Sequence, residues 1–229
     1  MKKFLKAAAV VLMVAVMWVS MALFYALNQS AVMASLYKIK YETASYPQNG
    51  LVLIGSSSIQ IWRGSGRDLA PLRSENVGIS GSVVNDWFPL VDSLVTPFDP
   101  SALVVYVGSN DIHALHRNVE DIAADLDRLL EQIHTAVPDA IIYYISVYTS
   151  VDAEELKPED ERFNALAKAL TEKREYARFV DCASALLDEN GAPRRDVFLD
   201  DFVHLNEKGY ELWKVPLREA LSHDFEELN

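Results

Sequence analysis

Three short segments of the chain carry side chains that could together catalyse acyl transfer. Ser57 follows an apolar run and lies in a turn of small residues. Asn110 follows a second apolar run, and Asp201 and His204 lie three residues apart just before a predicted helix. A serine nucleophile, an amide that can donate to an oxyanion and a histidine oriented by an aspartate are the groups that this chemistry requires.

Backbone N–H groups near these side chains could add further donors. The N–H of Ser57 would lie among the unpaired donors at the start of a predicted helix. Gly81 comes just after a predicted strand, and a glycine there lets the backbone approach a ligand and offer its own N–H. Either N–H could join the Asn110 amide in stabilising the negative charge that develops on an attacked carbonyl oxygen.

Each of these residues also has a purely structural interpretation. Ser57 and the serines beside it could be helix-capping and turn residues. Gly81 could form an ordinary turn, Asn110 could form an Asx turn, and His204 could be a surface histidine in a capping segment. Asp111 is predicted to brace its loop. The segments favour a catalytic site only jointly, through their order along the chain.

Short apolar runs alternate with amphipathic segments from residue 51 onward, which predicts an α/β fold with a parallel sheet in three layers. The predicted strands are 51–54, 75–79, 102–107, 140–147 and 177–182. The predicted helices are 57–62, 82–94, 118–136, 159–176 and 206–221. Asn118 is the predicted cap of the third helix, and Pro216 predicts a kink or an early end of the last one. Ligands bind beyond the carboxyl ends of such strands, so Ser57, Gly81 and Asn110 are predicted to share one rim.

Composition argues against several classes of protein. Half of the 229 residues are apolar and the formal net charge is −12, so the chain is globular and lacks the basic face that nucleic-acid binding needs. Cys182 is the only cysteine, which excludes an internal disulfide and predicts a buried, inert thiol. His113 and His116 resemble a metal pair without a third ligand, so surface positions are favoured for both.

The start of the chain predicts a membrane anchor. Residues 1–6 form a basic, cytoplasmic start, and residues 7–27 carry no charge. A helix of that length spans about 31 Å, close to the ~30 Å hydrocarbon core. A single-pass inner-membrane protein with a periplasmic catalytic domain is predicted. The alternative is a signal peptide cleaved at 32–34, giving a protein secreted to the periplasm.

Taken together, the motifs closely resemble the SGNH branch of the GDSL esterase/lipase family. That family has four sequence blocks, which carry a Ser, a Gly, an Asn and a His. These fall here on Ser57, Gly81, Asn110 and His204, and Asp201 matches the third member of the catalytic triad. The resemblance covers residues 50–221. The segments around Asn110 and His204 are its most specific parts.

The resemblance implies a flavodoxin-like sheet and hydrolysis of carboxylic esters through an acyl-Ser57 intermediate, with no metal and no cofactor. The implied oxyanion hole consists of the N–H groups of Ser57 and Gly81 and the amide of Asn110. The substrate would be a small-molecule, lipid or glycan ester, including short acyl or acetyl esters, thioesters and lysophospholipids. In one departure from the pattern, Ser56 stands where the family has an aspartate.

Two other functions stay open at this point. One is an O-acyltransferase or deacetylase that acts on envelope polysaccharide, and the other is a non-catalytic binding module. The predicted domain is 50–225, and 28–49 is predicted to be a short helix or a linker that leads to it. Trp62 and Trp87 could line a site for an acyl group or a sugar, or could equally be core residues. The sequence does not indicate the oligomeric state.

Overall fold

A parallel sheet of five strands forms the middle of the protein. The computed structural model describes residues 13–20, 29–43 and 48–226. The strands are β1 Leu51–Gly55, β2 Ser74–Asn76, β3 Ala102–Tyr106, β4 Ile141–Ile145 and β5 Ala177–Val180. Their order is β2-β1-β3-β4-β5, and each neighbouring pair is parallel. This is the flavodoxin-like strand order, and the predicted α/β class is confirmed.

Both faces of this sheet are buried. Successive side chains of a strand point to opposite faces. In β3, Leu103 and Val105 join one apolar cluster, whereas Val104 and Tyr106 join the other. The continuous apolar runs of the sequence are explained by this arrangement, because each strand needs apolar residues on both of its faces.

Helices cover the sheet on both sides. The α-helices are α1 Gln29–Thr43, α2 Ser57–Gln60, α3 Ser65–Asp68, α4 Val91–Leu94, α5 Ser109–His113, α6 Val119–Ala136, α7 Lys157–Thr171 and α8 Glu207–Ser222. Short 3₁₀ helices occupy Val84–Leu90, Thr96–Phe98, Val151–Leu156, Ser184–Leu186 and Arg195–Val197. Leu126 of α6 and Phe163 of α7 join the first apolar cluster, and Trp213 of α8 joins the second. The three layers are therefore helix, sheet and helix.

The longest helix among the described residues, α6, begins where its capping residue predicts. The Asn118 side chain accepts hydrogen bonds from the backbone N–H groups of Glu120 and Asp121, at 3.0 and 3.3 Å. These bonds satisfy donors that have no partner within the helix. The apolar stripe of α6 is buried, including Ile122 and Leu129.

Three observed elements differ from the predicted ones. Strand β2 ends at Asn76 instead of at residue 79, although the N–H of Val77 still donates to Leu53 O at 3.0 Å. The predicted helix 82–94 is a 3₁₀ helix followed by α4, because Pro89 has no N–H for an α-helical bond. The predicted early end at Pro216 is wrong. Helix α8 continues to Ser222, since its buried face packs on the sheet on both sides of the proline.

The segment predicted as a short helix or a linker contains a helix, and this helix packs against the domain. The Tyr37 hydroxyl of α1 donates to Gly78 O at 3.0 Å, and the Tyr41 hydroxyl donates to a carboxylate oxygen of Glu75 at 2.9 Å. The Tyr41 ring packs edge-on against Phe98, with 4.8 Å between ring centroids. Helix α1 is therefore fixed beside β2 and the segment that follows it.

Most of the predicted membrane anchor lies outside the described residues. Only 13–20 of the 7–27 run is described, and these residues are helical and exposed. Among the residues that the structure describes, no helix is both long and apolar enough to cross a bilayer.

The single cysteine lies in the core. Cys182 follows β5 and is fully buried. Burial raises the pKa of its thiol well above the usual range, so the thiolate that reacts with oxidants and disulfides is disfavoured. This agrees with the predicted inert thiol.

Candidate active site

The turn after β1 presents Ser57. Gly55 ends the strand with a φ of +147°, and a Cβ there would lie 2.2 Å from the carbonyl oxygen of Tyr106. Only glycine therefore allows the chain to turn this close to β3. Ser57 is the first residue of α2, and its Oγ lies 2.9 Å from Nε2 of His204.

The loop before α8 holds His204 and Asp201 in a fixed arrangement. His204 Nδ1 lies 2.7 Å from Oδ2 of Asp201. The other carboxylate oxygen of Asp201 accepts the backbone N–H groups of Val203 and His204, each at 3.0 Å. The carboxylate is therefore held by its own loop while it contacts the ring. With Nδ1 beside a carboxylate, the neutral ring carries its proton there and leaves Nε2 as an acceptor towards Ser57.

The charge of Asp201 persists under acidic conditions. Partial burial raises the pKa of this carboxyl, but the backbone and ring hydrogen bonds of His204, together with the N–H of Val203, outweigh it and leave the pKa below its usual value. Because the pKa of Asp201 is lower in the folded state than in the unfolded state, its carboxylate stabilises the fold at any pH above the unfolded-state pKa. This stability is lost as the pH falls through the folded-state pKa. Asp201 therefore remains an anion that can support the imidazole through neutral and mildly acidic pH.

The three candidate oxyanion donors lie in segments that meet beside Ser57. Gly81 has a φ of +76°, in the left-handed region that favours glycine. Within the described part of the chain, the N–H groups of Ser57 and Gly81 donate no hydrogen bond. The Asn110 amide donates one bond, to Ser82 O at 2.9 Å. A side-chain amide has two N–H donors, so this bond orients the group and leaves the second donor for a ligand.

A buried ionic network fixes these two segments to each other. Asp111 is fully buried, and one of its oxygens accepts the N–H of Val84 at 3.0 Å. The other oxygen accepts from the Arg117 guanidinium at 2.5 Å, and Arg117 also contacts Asp125. Burial raises the pKa of Asp111, against the opposing effect of these hydrogen bonds. The predicted bracing role of Asp111 is confirmed, since it ties the segment after Gly81 to α5.

The serines on either side of Ser57 are held in other ways. Ser56 is 1% exposed. Ser58 is 4% exposed, and its hydroxyl hydrogen-bonds the Tyr148 hydroxyl at 2.8 Å. Tyr148 also donates to Val203 O at 3.1 Å, so it connects the turn of Ser57 to the loop of His204. Tyr148 has no local motif around it, so its position in the site was not predicted.

A small cavity opens beside these groups. It has a volume of about 180 Å³. Its lining consists of Ser57, Ser58, Tyr106, Ser109, Asn110, His113, Ala114, Tyr148, Ser150, Val203 and His204. Trp62 and Trp87 do not line it, because both are buried in the core. Most of the lining residues carry a hydroxyl, amide or imidazole group, although the larger part of the lining surface is apolar. The described lining includes no lysine or arginine.

The two histidines of the 113–116 segment do not form a metal pair. His113 is half-buried against Asp160, so its predicted surface position is wrong, whereas His116 is exposed as predicted. In the described ranges, no group of three or more His, Cys, Asp or Glu side chains is arranged to hold a metal ion.

Comparison with known proteins places the chain in a family. The model of the GDSL-like lipase/acylhydrolase family matches residues 58–212. The chain belongs to this family, and it is a hydrolase that acts on ester bonds. The matched region begins one residue after Ser57, so the match does not include this serine. No curated protein matches the chain.

Several solved structures share the fold. One is a Streptococcus pneumonia protein provisionally described as a platelet activating factor, with 17% identity, 90% of this chain and 99% of that chain covered, and a TM-score of 0.78. Another is a GDSL-like lipase from Bacteroides thetaiotaomicron, with 17% identity, coverages of 84% and 98%, and a TM-score of 0.67. A third is a variant of Axe2, an acetyl-xylooligosaccharide esterase from Geobacillus, with 17% identity, coverages of 76% and 95%, and a TM-score of 0.62.

Proposed function

We propose that the protein hydrolyses short-chain carboxylic esters through an acyl intermediate on Ser57. The observation that carries this proposal is the continuous contact from Ser57 Oγ to His204 Nε2, at 2.9 Å, and from His204 Nδ1 to Asp201, at 2.7 Å. The nucleophile, the base and the orienting carboxylate make the contacts with one another that the mechanism of a serine hydrolase requires.

The first half of the reaction forms the acyl-enzyme. Ser57 Oγ attacks the carbonyl carbon of the ester while Nε2 of His204 takes the serine proton, and Asp201 stabilises the resulting imidazolium. The carbonyl oxygen becomes an oxyanion, for which the Ser57 and Gly81 N–H groups and the Asn110 amide are the donors. The intermediate then collapses, the bond to the alcohol oxygen breaks, and His204 gives its proton to the departing alcohol.

The second half releases the acid. A water molecule gives a proton to His204 and attacks the acyl carbon, the same donors hold the new oxyanion, and Ser57 leaves with the proton returned from His204. The groups invoked in both halves are a serine, a histidine, an aspartate and hydrogen-bond donors. We therefore propose catalysis without a metal ion or an organic cofactor.

The size of the cavity favours a short acyl group. Pockets that enclose drug-sized ligands have volumes of roughly 300–1,000 Å³, whereas this cavity has about 180 Å³. A long acyl chain would extend into solvent and lose the burial that makes its binding favourable. Acetyl esters of polar alcohols suit better the hydroxyl, amide and imidazole groups that the lining residues carry. The similar Geobacillus protein carries the description of an acetyl-xylooligosaccharide esterase, which supports the same class of substrate.

A panel of esters tests this proposal. The purified full-length protein should hydrolyse p-nitrophenyl acetate and butyrate faster than the corresponding dodecanoate, and should keep its activity in EDTA. Acetylated xylo-oligosaccharides and lysophospholipids complete the panel, and sugar acceptors added to the assay test acyl transfer in place of hydrolysis. Activity that EDTA removes and zinc restores would refute the metal-free mechanism. A preference for the dodecanoate would refute the short-acyl assignment.

Loss of the candidate amide donor should slow the chemical step. Asn110→Ala is expected to lower kcat on the order of 10²–10³-fold, as removal of one oxyanion donor does in other hydrolases. KM should change little, because the donor acts on charge that develops after binding. Steady-state kinetics on p-nitrophenyl acetate measures both parameters. Asn85→Ala is the matched control, since Asn85 is an exposed asparagine. An unchanged kcat in Asn110→Ala would remove this residue from the oxyanion hole.

The location of the protein is a separate proposal. The lysines before residue 7 and the uncharged run 7–27 favour an anchor in the inner membrane with the catalytic domain in the periplasm. The packing of α1 adds support, because cleavage at 32–34 would remove the first part of this helix up to Ala34, which is buried against the core.

Fractionation should therefore recover the full-length protein with the inner membrane. Protease added to intact spheroplasts should digest the catalytic domain, because that domain lies outside the membrane. Mass spectrometry of the amino terminus distinguishes the two forms of the proposal. A mature protein that begins near Ser35 and is free in the periplasm would refute the anchor, and a domain protected from protease would refute the compartment as well.

A further inference from the structure

A second histidine faces the catalytic cavity from the helix that carries Asn110. His113 and Asn110 lie three residues apart on α5, so they are neighbours on one helix face. Both line the same cavity as Ser57 and His204. No step of the proposed mechanism uses His113.

The His113 ring is held by a buried carboxylate. Its Nε2 lies 2.8 and 3.0 Å from the two oxygens of Asp160. Asp160 is 1% exposed and also accepts a hydrogen bond from the Thr149 hydroxyl at 2.8 Å. Burial raises the pKa of the Asp160 carboxyl, against the opposing effect of His113 and Thr149. A carboxylate at this depth needs partners, and the pair fixes the orientation of the ring.

This orientation leaves one polar atom of His113 for a ligand. Nε2 faces a carboxylate, so it carries a proton and donates. Nδ1 makes no hydrogen bond to any described residue, and it is not among the buried polar atoms that lack a partner. Nδ1 is therefore in contact with solvent, on a side chain that lines the cavity.

A hydroxyl group is the ligand that matches Nδ1 best. A neutral ring accepts a hydrogen bond from a hydroxyl, and a cationic ring donates one to the hydroxyl oxygen, so both forms can bind it. Ser109 and Ser150 line the same cavity, and a serine hydroxyl can donate or accept. An anionic headgroup fits poorly, because the described lining contains no lysine or arginine and Asp160 places a carboxylate behind the ring.

We propose that His113 binds a hydroxyl group on the alcohol portion of the ester, and so selects esters of polyols and sugars over esters of simple alcohols. The inference rests on the proposed hydrolysis at Ser57. The hydroxyl belongs to the alcohol because an acetyl group has none. The alcohol oxygen must also approach His204 to receive its proton, and His204 lines the cavity together with His113.

The test uses two acetate esters of nearly equal size, 2-hydroxyethyl acetate and propyl acetate, which differ by a hydroxyl in place of a methyl group. Acetate release by the full-length protein gives kcat and KM for each ester. We expect the wild type to prefer the hydroxyl ester. His113→Gln can keep a donor towards Asp160 but has no acceptor at the place of Nδ1. Its preference should fall by about 3- to 10-fold, the equivalent of one lost hydrogen bond, mainly through a higher KM for the hydroxyl ester.

Two further variants separate binding from structure. His113→Asn has a polar group near the place of Nδ1 and should retain more of the preference than His113→Gln. His223→Gln is the matched control at an exposed histidine, and it should leave the preference unchanged. Thermal unfolding of each variant shows whether it folds.

The outcomes distinguish this inference from the proposed function. No preference in the wild type, or an unchanged preference in a folded His113→Gln, would overturn the role of His113 while hydrolysis at Ser57 stands. Equal losses on the two esters would show a purely structural pair and would also overturn it. A wild type that hydrolyses neither these esters nor p-nitrophenyl acetate would instead refute the proposed function.

Discussion

Ser57→Ala is expected to lower kcat for p-nitrophenyl acetate on the order of 10⁶-fold, as loss of the nucleophile does in serine hydrolases. The reason is that Ser57 Oγ is the hydroxyl in contact with His204, at 2.9 Å, and no other group can form the acyl intermediate once it is removed. A residual rate above that of water should remain, because the oxyanion donors still act on an attacking water molecule. Steady-state rates, with mass spectrometry to detect an acylated Ser57 in the wild type, check this result.

The neighbouring serines provide matched controls for this substitution. Ser56→Ala and Ser58→Ala remove the same hydroxyl group one residue away, yet neither hydroxyl contacts His204 in the structure. Ser56→Ala should change kcat by less than about tenfold. Ser58→Ala should have an intermediate effect, since it breaks the hydrogen bond to Tyr148 that connects the two catalytic segments. If Ser56→Ala abolished activity and Ser57→Ala did not, the nucleophile would be Ser56.

His204→Ala should have an effect of similar size, on the order of 10⁶-fold in kcat, because the serine hydroxyl would then lack its base. The double variant Ser57→Ala/His204→Ala should be no slower than either single variant, since the two residues act as one unit. Asp201→Asn should cost less, about 10⁴-fold, because the imidazole remains but is held in the wrong tautomer.

The pH profile gives an independent check on His204. In the wild type, kcat/KM should fall as the pH is lowered from 8 to 5, because a general base that has gained a proton cannot accept the serine proton. The lowered pKa of Asp201 means that this carboxylate stays ionised over the same range, so it is not the source of the fall. A flat profile from pH 8 to pH 5 would contradict the role of His204 as the base.

The sheet was predictable from the sequence because each strand is a short continuous segment whose residues are apolar on both faces. Strands β1 and β3 are such apolar runs, and the turn at the end of each run contains a glycine with a positive φ. The residues of the candidate site were predictable for a related reason, since Ser57, Asn110 and His204 each lie at the edge of a predicted strand or helix. The distances between these residues became known only with the fold. Their order along the chain was nevertheless sufficient to suggest a common site.

The features that the sequence did not predict depend on contacts between distant segments. His113 and Asp160 are 47 residues apart, and no periodicity brings them together. Ser58 and Tyr148, 90 residues apart, are a second example. The packing of helix α1 on the domain was not predicted either, because its exposed positions include apolar side chains such as Leu36 and the sequence therefore does not distinguish the face that packs on the domain.

The buried thiol of Cys182 makes the protein suitable for site-specific labelling. Because the only cysteine is fully buried and its pKa is raised, a maleimide reagent should leave the folded wild type unmodified. A cysteine introduced at an exposed position such as Leu115, which follows the cavity-lining Ala114 in the chain, would then be the one reactive thiol. A fluorophore or spin label at that position could report on ligand entry without removing the native cysteine from the core.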